Sequence, residues 1–260
     1  MPAALPDDFM IVRPSGNDTA LVFSPVDARD YKRVNDAILA ARPSVEQVMF
    51  VRKDGGMTQG LMAGGEFCGN ATRALGYVLL KGQDGTVTFR VSGQDTPVTV
   101  FVRDGYAALT MRASGRIDRR PDYTLVDMGG IAHIICDAQS VEAKAFPTEA
   151  PAQKASALAL FARAGIADKP AAGLMIVDAA TNLLTPYIYV RDIDTFIPET
   201  ACGSGSIAVA MAQNAEDLTL LQVSGDTLRV TLDREASFLC ATLSGPVRIL
   251  EERAAAVQAA

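Results

Sequence analysis

The sequence predicts an α+β fold made of two similar lobes, each a mixed and mainly antiparallel sheet with helices laid between its strands. Strand-like segments outnumber helical ones, they come in pairs that flank turns, and one ordered series of segments occurs twice. The first copy reads FCGNATRALGYVLL, TVTFRVSG, PVTVFV and AALTM; the second reads ACGSGSIAVAMA, LTLLQVSG, LRVTL and FLCATL. Cys68 lies 23 residues before Val91, and Cys202 lies 21 before Val223. A further 20 residues lead from each valine to Met111 and to Leu243. Matched order and matched spacing together mark a duplicated unit.

Each element has a local reason. FMIV and ALVF flank the turn Pro14 to Asn17, as YTLV and HIIC flank Gly129-Gly130, so each pair reads as a hairpin. Ala28 to Ala41 and Ala152 to Ala164 carry apolar residues at intervals of three and four, which predicts helices. Val48 to Val51 and Gly60-Leu61 flank Asp54-Gly55-Gly56; Leu174 to Val177 and Tyr187 to Val190 flank Ala179 to Asn182. The runs after Cys68 and Cys202 read as amphipathic helices, through Leu75, Val78 and Leu79 and through Ile207, Ala210 and Met211. In TVTFRV the residues Val87, Phe89 and Val91 share one face, as a strand requires. The polar run GRIDRRPD interrupts the apolar pattern and places the boundary there. The expected division is residues 1–117 with Cys68, residues 118–246 with Cys202, and a C-terminal segment 247–260 free to return to the first lobe.

Composition narrows the function. The chain has 260 residues, 49% hydrophobic and 21% charged, enough for a real core. No apolar run reaches the length of a membrane span, and the opening MPAALPDDFMIV is unlike a signal peptide, so a cytoplasmic protein without membrane partner is expected. A net charge of -6 argues against a nucleic-acid partner. Four cysteines without a CxxC pair and a single histidine give no metal site, so none is expected. Cys136 and Cys240 lie inside strand-like runs and read as core thiols.

Cys68 and Cys202 differ from those two. Each precedes a glycine at the start of a helix, where unpaired N–H groups and partial positive charge lower a thiol's pKa and hold a carboxylate. Two such loops in a duplicated chain would set two activated sulfurs face to face across a cleft. That arrangement suits inversion at the Cα of an amino acid, with a base on one face and an acid on the other. No pyridoxal phosphate is required, none of the six lysines has a cofactor context, and no cofactor is expected.

At GEFCGNAT and ETACGSGS the sequence resembles the diaminopimelate epimerase-like superfamily of cofactor-independent amino-acid racemases, over most of its length. The resemblance implies two pseudo-symmetric lobes, each a sheet wrapped around a central helix, with the active site between them. It implies Cys68 and Cys202 as the acid/base pair, and Gly69, Asn70, Gly203 and Ser204 as ligands of the substrate carboxylate. Asn17 in PSGN and Gln47 in EQVMFV match substrate contacts of the family, and His133 falls near its glycine-asparagine-proline-histidine motif.

Departures from the pattern bear on the substrate. GLMAGGEF and DIDTFIPET lack the asparagine and arginine with which diaminopimelate epimerases hold the distal end of their substrate. The closer resemblance is to histidine racemases of opine-type metallophore biosynthesis, which share PSGN, GEFCGNAT and the spacing of Ile197 and Glu199 before the second cysteine. Histidine is therefore the expected substrate, with diaminopimelate as the alternative and a non-catalytic amino-acid-binding protein as the alternative of another class. Glu46 and Glu199 are expected at the substrate's amino group or imidazole. The expected partner is this small molecule, and a homodimer is left open.

Overall fold

A computed structural model describes residues 5–234 and 239–253. The chain forms two compact units, residues 1–109 with 245–260, and residues 110–244. The first contains β1 (Phe9–Pro14), β2 (Thr19–Val22), α1 (Tyr31–Ala41), β3 (Gln47–Asp54), β4 (Met57–Met62), α2 (Gly69–Leu79), β5 (Gly85–Val91), β6 (Val98–Arg103) and most of β7 (Tyr106–Arg112). In the second are β8 (Arg116–Arg119), β9 (Thr124–Asp127), β10 (Ile131–Asp137), α3 (Val141–Ala145), α4 (Ala150–Ala164), β11 (Ala171–Asp178) and β12 (Leu183–Val190). It continues through β13 (Thr195–Pro198), α5 (Gly203–Gln213), β14 (Asp217–Gln222) and β15 (Thr227–Arg234) to the start of β16 (Leu239–Arg253). The architecture is mixed α/β and dominated by sheet.

In the first unit β1 and β2 pair antiparallel, β3 joins β2 in parallel, and β3 and β4 form a hairpin. β5 then pairs β4 in parallel and leads into the antiparallel run β5-β6-β7. A parallel neighbour needs a crossover, and the two crossovers here are the segments that hold α1 and α2. The same order of pairings recurs in the second unit, from the β9-β10 hairpin through parallel β11, the β11-β12 hairpin and parallel β14 to antiparallel β15 and β16. α2 and α5 thus both follow a hairpin and begin just beyond the C-terminal end of a strand path. That is how the fold places the two cysteines at helix starts.

α2 packs on β1, β2, β5 and β6, and α5 packs on β9, β10, β11, β14 and β15. The apolar residues that mark these two helices in the sequence lie within largely buried helices. Residues 69–76 of α2 are all buried, and in α5 only Ser204 and Gln213 escape full burial. Gly69, Ala71, Ala74 and Gly76 in α2, and Gly203, Gly205, Ala208 and Ala210 in α5, let neighbouring strands approach closely.

The polar run read as a boundary carries β8, an edge strand paired with β9. An edge strand exposed to water needs no apolar alternation, which is why its pattern is missing. By compactness the units divide after Leu109, within β7. β13 and α3 are too short to show a period and also lack a sequence signal. Residues 247–253 pair with β1, whereas residues 254–260 of the expected returning segment lie outside the described residues. Among the described residues no helix is long and apolar enough to cross a membrane.

Gly76 tests the close approach of α2 to β6. A Cβ there would stand 2.5 to 2.9 Å from three atoms of Val100, which is fully buried and stiff. Gly76→Ala is expected to destabilise the protein by about 1–3 kcal/mol. In urea unfolding, Val100→Ala in the same chain should recover part of that loss.

Candidate active site

Both cysteines are N-caps made of sulfur. Cys68 has φ -128° and ψ 113°, and its Sγ accepts from Ala71 N–H at 3.4 Å; Cys202 has φ -132° and ψ 112° and accepts from Gly205 N–H at 3.4 Å. Behind each cap a hydroxyl four residues on, Thr72 or Ser206, donates to the cysteine carbonyl at 2.7 Å. The sulfurs therefore sit in one local geometry, each at the positive end of an eleven-residue helix.

Around Cys68 the structure brings four of the expected residues into one chain of hydrogen bonds. The thiol donates to Gln47 Oε1 at 3.1 Å, Gln47 Nε2 donates to Asn17 Oδ1, and Asn17 Nδ2 donates to Glu46 Oε2 at 3.0 Å. These bonds fix the orientation of both amides, because each end has only one chemical role. Gln47 also donates to Thr19 Oγ1 at 2.8 Å. Ser15, Gly16 and Asn17 all have positive φ, at 68°, 106° and 54°, and Ser15 and Asn17 are buried. Three left-handed residues in succession, two of them not glycine, are costly, and side-chain bonds of this kind hold them. Asn70 belongs to a second group: its Oδ1 accepts from the buried Arg73 at 3.1 Å.

Around Cys202 the expected residues His133 and Ser204 converge. Ser204 Oγ is 3.6 Å from Cys202 Sγ and 3.0 Å from His133 Nε2. His133 is fully buried, and its Nδ1 has no hydrogen-bond partner among the described residues. A buried N–H without a partner costs more than a bare lone pair, so the proton belongs on Nε2, which donates to Ser204. Ser204 then keeps its own hydroxyl proton to donate elsewhere. Gln222 Oε1 accepts the Cys202 N–H at 3.0 Å. Gly205 is required here, since a Cβ would overlap Met175 Sδ.

Electrostatics separate the residues further. Burial raises the Cys202 thiol well above its ordinary value and the nearby Glu199 carboxylate adds to this, while the Gly205 N–H and Ser204 hydroxyl oppose it. Burial pushes Cys136, in the core of the second unit, up to about 12. It pushes His133 down to about 3, so the imidazole is neutral at physiological pH. Among the described residues no group of three histidine, cysteine or carboxylate side chains gathers as a metal site.

Sequence reading missed Ser15, Thr19, Arg73 and Gln222. Ser15 was visible within PSGN; the other three carry no local signal, because their role depends on contacts between distant segments.

With this geometry in place, comparison with known proteins is direct. Residues 7–252 match the family model described as the histidine racemase CntK N-terminal domain. The chain belongs to this family. Among curated members of the histidine racemase group, one from Staphylococcus aureus is 28% identical over 85% of this chain and 87% of its own. Another, from Fusobacterium nucleatum, is 25% identical over 94% of each chain. Family membership makes the protein an isomerase of the racemase class. Solved structures share the fold at lower identity. A predicted epimerase from Pseudomonas aeruginosa has a TM-score of 0.64 at 13% identity, covering 95% of this chain and 98% of its own. A phenazine biosynthesis PhzF family protein from Enterococcus faecalis has 0.61 at 16%, covering 94% and 97%.

His133 is the chain's one histidine, so its ring gives a single set of resonances. Its Cε1–H shift is expected to stay flat from pH 8 to pH 5. Because the folded pKa lies below the unfolded one, the unfolded state binds more protons between about pH 6.5 and pH 3. The stabilisation from a neutral His133 is therefore complete above that window and is lost as pH falls through it. A titration midpoint near 6.5 in the folded protein would contradict the burial.

Proposed function

We propose that the protein is a cofactor-independent histidine racemase that inverts Cα with Cys68 and Cys202 as a two-base pair. The observation that carries this is the matched pair of sulfur caps, with equal backbone angles, equal N–H donors and equal hydroxyl supports. Reaction in both directions calls for two similar groups, and a core thiol needs none of this apparatus. The reading includes two pseudo-symmetric lobes, each a sheet around a central helix, that bring the sulfurs to opposite sides of one carbon.

In one direction a thiolate takes the Cα proton and becomes a thiol, leaving a carbanion. The opposite thiol gives its proton to the other face and becomes the thiolate, so the enzyme ends ready for the reverse reaction. Gly69, Asn70, Gly203 and Ser204 receive the substrate carboxylate at the helix starts, where backbone N–H groups and dipoles stabilise charge that grows as the proton leaves. Gln47, oriented by Asn17, accepts from the Cys68 thiol and holds its proton in place. His133, through Ser204, directs a hydroxyl donor toward Cys202. Glu46 and Glu199, both half-buried, supply the carboxylates for an ammonium or imidazole. Histidine as substrate is supported by the family match and by the printed function of the curated relatives.

In deuterium oxide the protein is expected to exchange the Cα proton of L-histidine and generate D-histidine without added cofactor. Cys68→Ser and Cys202→Ser should each lower the rate by at least about a hundredfold. Exchange of diaminopimelate with histidine untouched would remove histidine as the substrate. Tight amino-acid binding without exchange, unaffected by either serine, would instead make the protein a binder.

A further inference from the structure

Arg73 is the largest fully buried side chain of the described residues, and neither the family contacts nor the thiol chemistry accounts for it. Its guanidinium is spent on neutral oxygens. Nε donates to Ala107 O at 2.9 Å, Nη1 to Asn70 Oδ1 at 3.1 Å, and Nη2 to Ser15 Oγ at 3.3 Å and Pro246 O at 3.5 Å. Ser15 Oγ donates in turn to Pro246 O at 3.3 Å. Among the described residues no carboxylate forms an ion pair with Arg73. Burial pulls its pKa down to about 9, so the cation persists at neutral pH, and attraction to the neighbouring Cys68 sulfur works against that fall.

A buried cation without a carboxylate partner is costly for a core to hold, and an apolar side chain of similar volume would cost less. Its position gives that charge a use. Arg73 is one turn beyond Asn70 in α2 and reaches the left-handed loop of Ser15, Gly16 and Asn17, so it fastens together two segments of the candidate site. An arginine has only donors, so the Asn70 atom it meets is Oδ1, and the positive end of that amide is directed away from the guanidinium.

We propose that Arg73 is a positioning residue for the substrate's α-carboxylate, fixing Asn70 and the Ser15–Asn17 loop and placing a positive charge behind the start of α2. It does not touch the substrate. Its field and the dipole of Asn70 draw a carboxylate to the first-turn amides of α2. The proposal rests on the amino-acid racemase reading but not on the identity of the side chain.

The test compares L-histidine with L-histidinamide, which lacks the anion, in wild type, Arg73→Met and Arg73→Lys. KM and kcat come from Cα exchange, and the amide is measured as a competitive ligand. Arg73→Met is expected to raise KM for histidine at least tenfold, with the amide's affinity changed less than threefold. Arg73→Lys, which keeps the charge, should restore most of the affinity for histidine. Equal losses for acid and amide, a fall in kcat at constant KM, or failure of both variants to fold would overturn the proposal. If wild type exchanges a different amino acid, the histidine reading fails and the same comparison is made with that acid and its amide. If it exchanges none, calorimetric binding of the acid and amide replaces the kinetics, with the same expected selectivity.

Discussion

One interaction sets the rest: a backbone N–H at the first turn of a helix donating to the sulfur of the residue that starts it. Oxygen is the common partner at that place, since serine, threonine, aspartate and asparagine satisfy the unpaired donors best. A sulfur at 3.4 Å is a weaker cap, so the helix gives up some stability where Cys68 and Cys202 stand. In return, the same N–H that holds the thiol also favours its anion. The hydroxyls of Thr72 and Ser206 offset the weak cap by binding the cysteine carbonyl from the next turn. Burial of α2 and α5 within sheet supplies stability that the caps do not.

The two cysteines share a backbone but not a setting. Cys68 is half-buried, bonded to an amide, and close to a cation; Cys202 is buried, near a carboxylate, and close to a hydroxyl. A racemase built from a duplicated unit need not be electrostatically symmetric, because its substrate is not. In the two-base reading proposed above, a thiol and a thiolate coexist in the resting state, and unequal surroundings would let one sulfur hold its proton while the other releases it. His133, neutral and buried beneath Ser204, belongs to this asymmetry, with no counterpart of its kind beside Cys68.

Much of this was legible in the sequence because duplication turns weak local signals into a matched series. The hairpins flanking Gly55-Gly56 and Gly129-Gly130 and the helices after both cysteines lie where the pattern pointed. What failed has a physical source. α5 reads as amphipathic through Ile207, Ala210 and Met211, yet its polar Ser206 is buried as well, through bonds to Cys202 and Gln222. Arg73 was passed over because arginine usually marks a solvated face, and its burial depends on carbonyls at Ala107 and Pro246 that no local window contains. β8 lacked alternation because it lies at an edge, and Gln222 looked like any strand residue until the backbone N–H of Cys202 reached it.

The pairing of β1 with the final stretch of β16 joins Phe9 to Arg253 and Pro14 to Val247. During synthesis on a ribosome, β1 must therefore wait for a strand made more than 200 residues later. Residues 110–244 have all their own strands in hand before that moment and are able to consolidate early, whereas β1 presents an open edge until residues 247–253 have emerged. Pairing across so long a stretch of chain is intrinsically slow. The unit that holds Cys68 is therefore the later of the two to close its sheet.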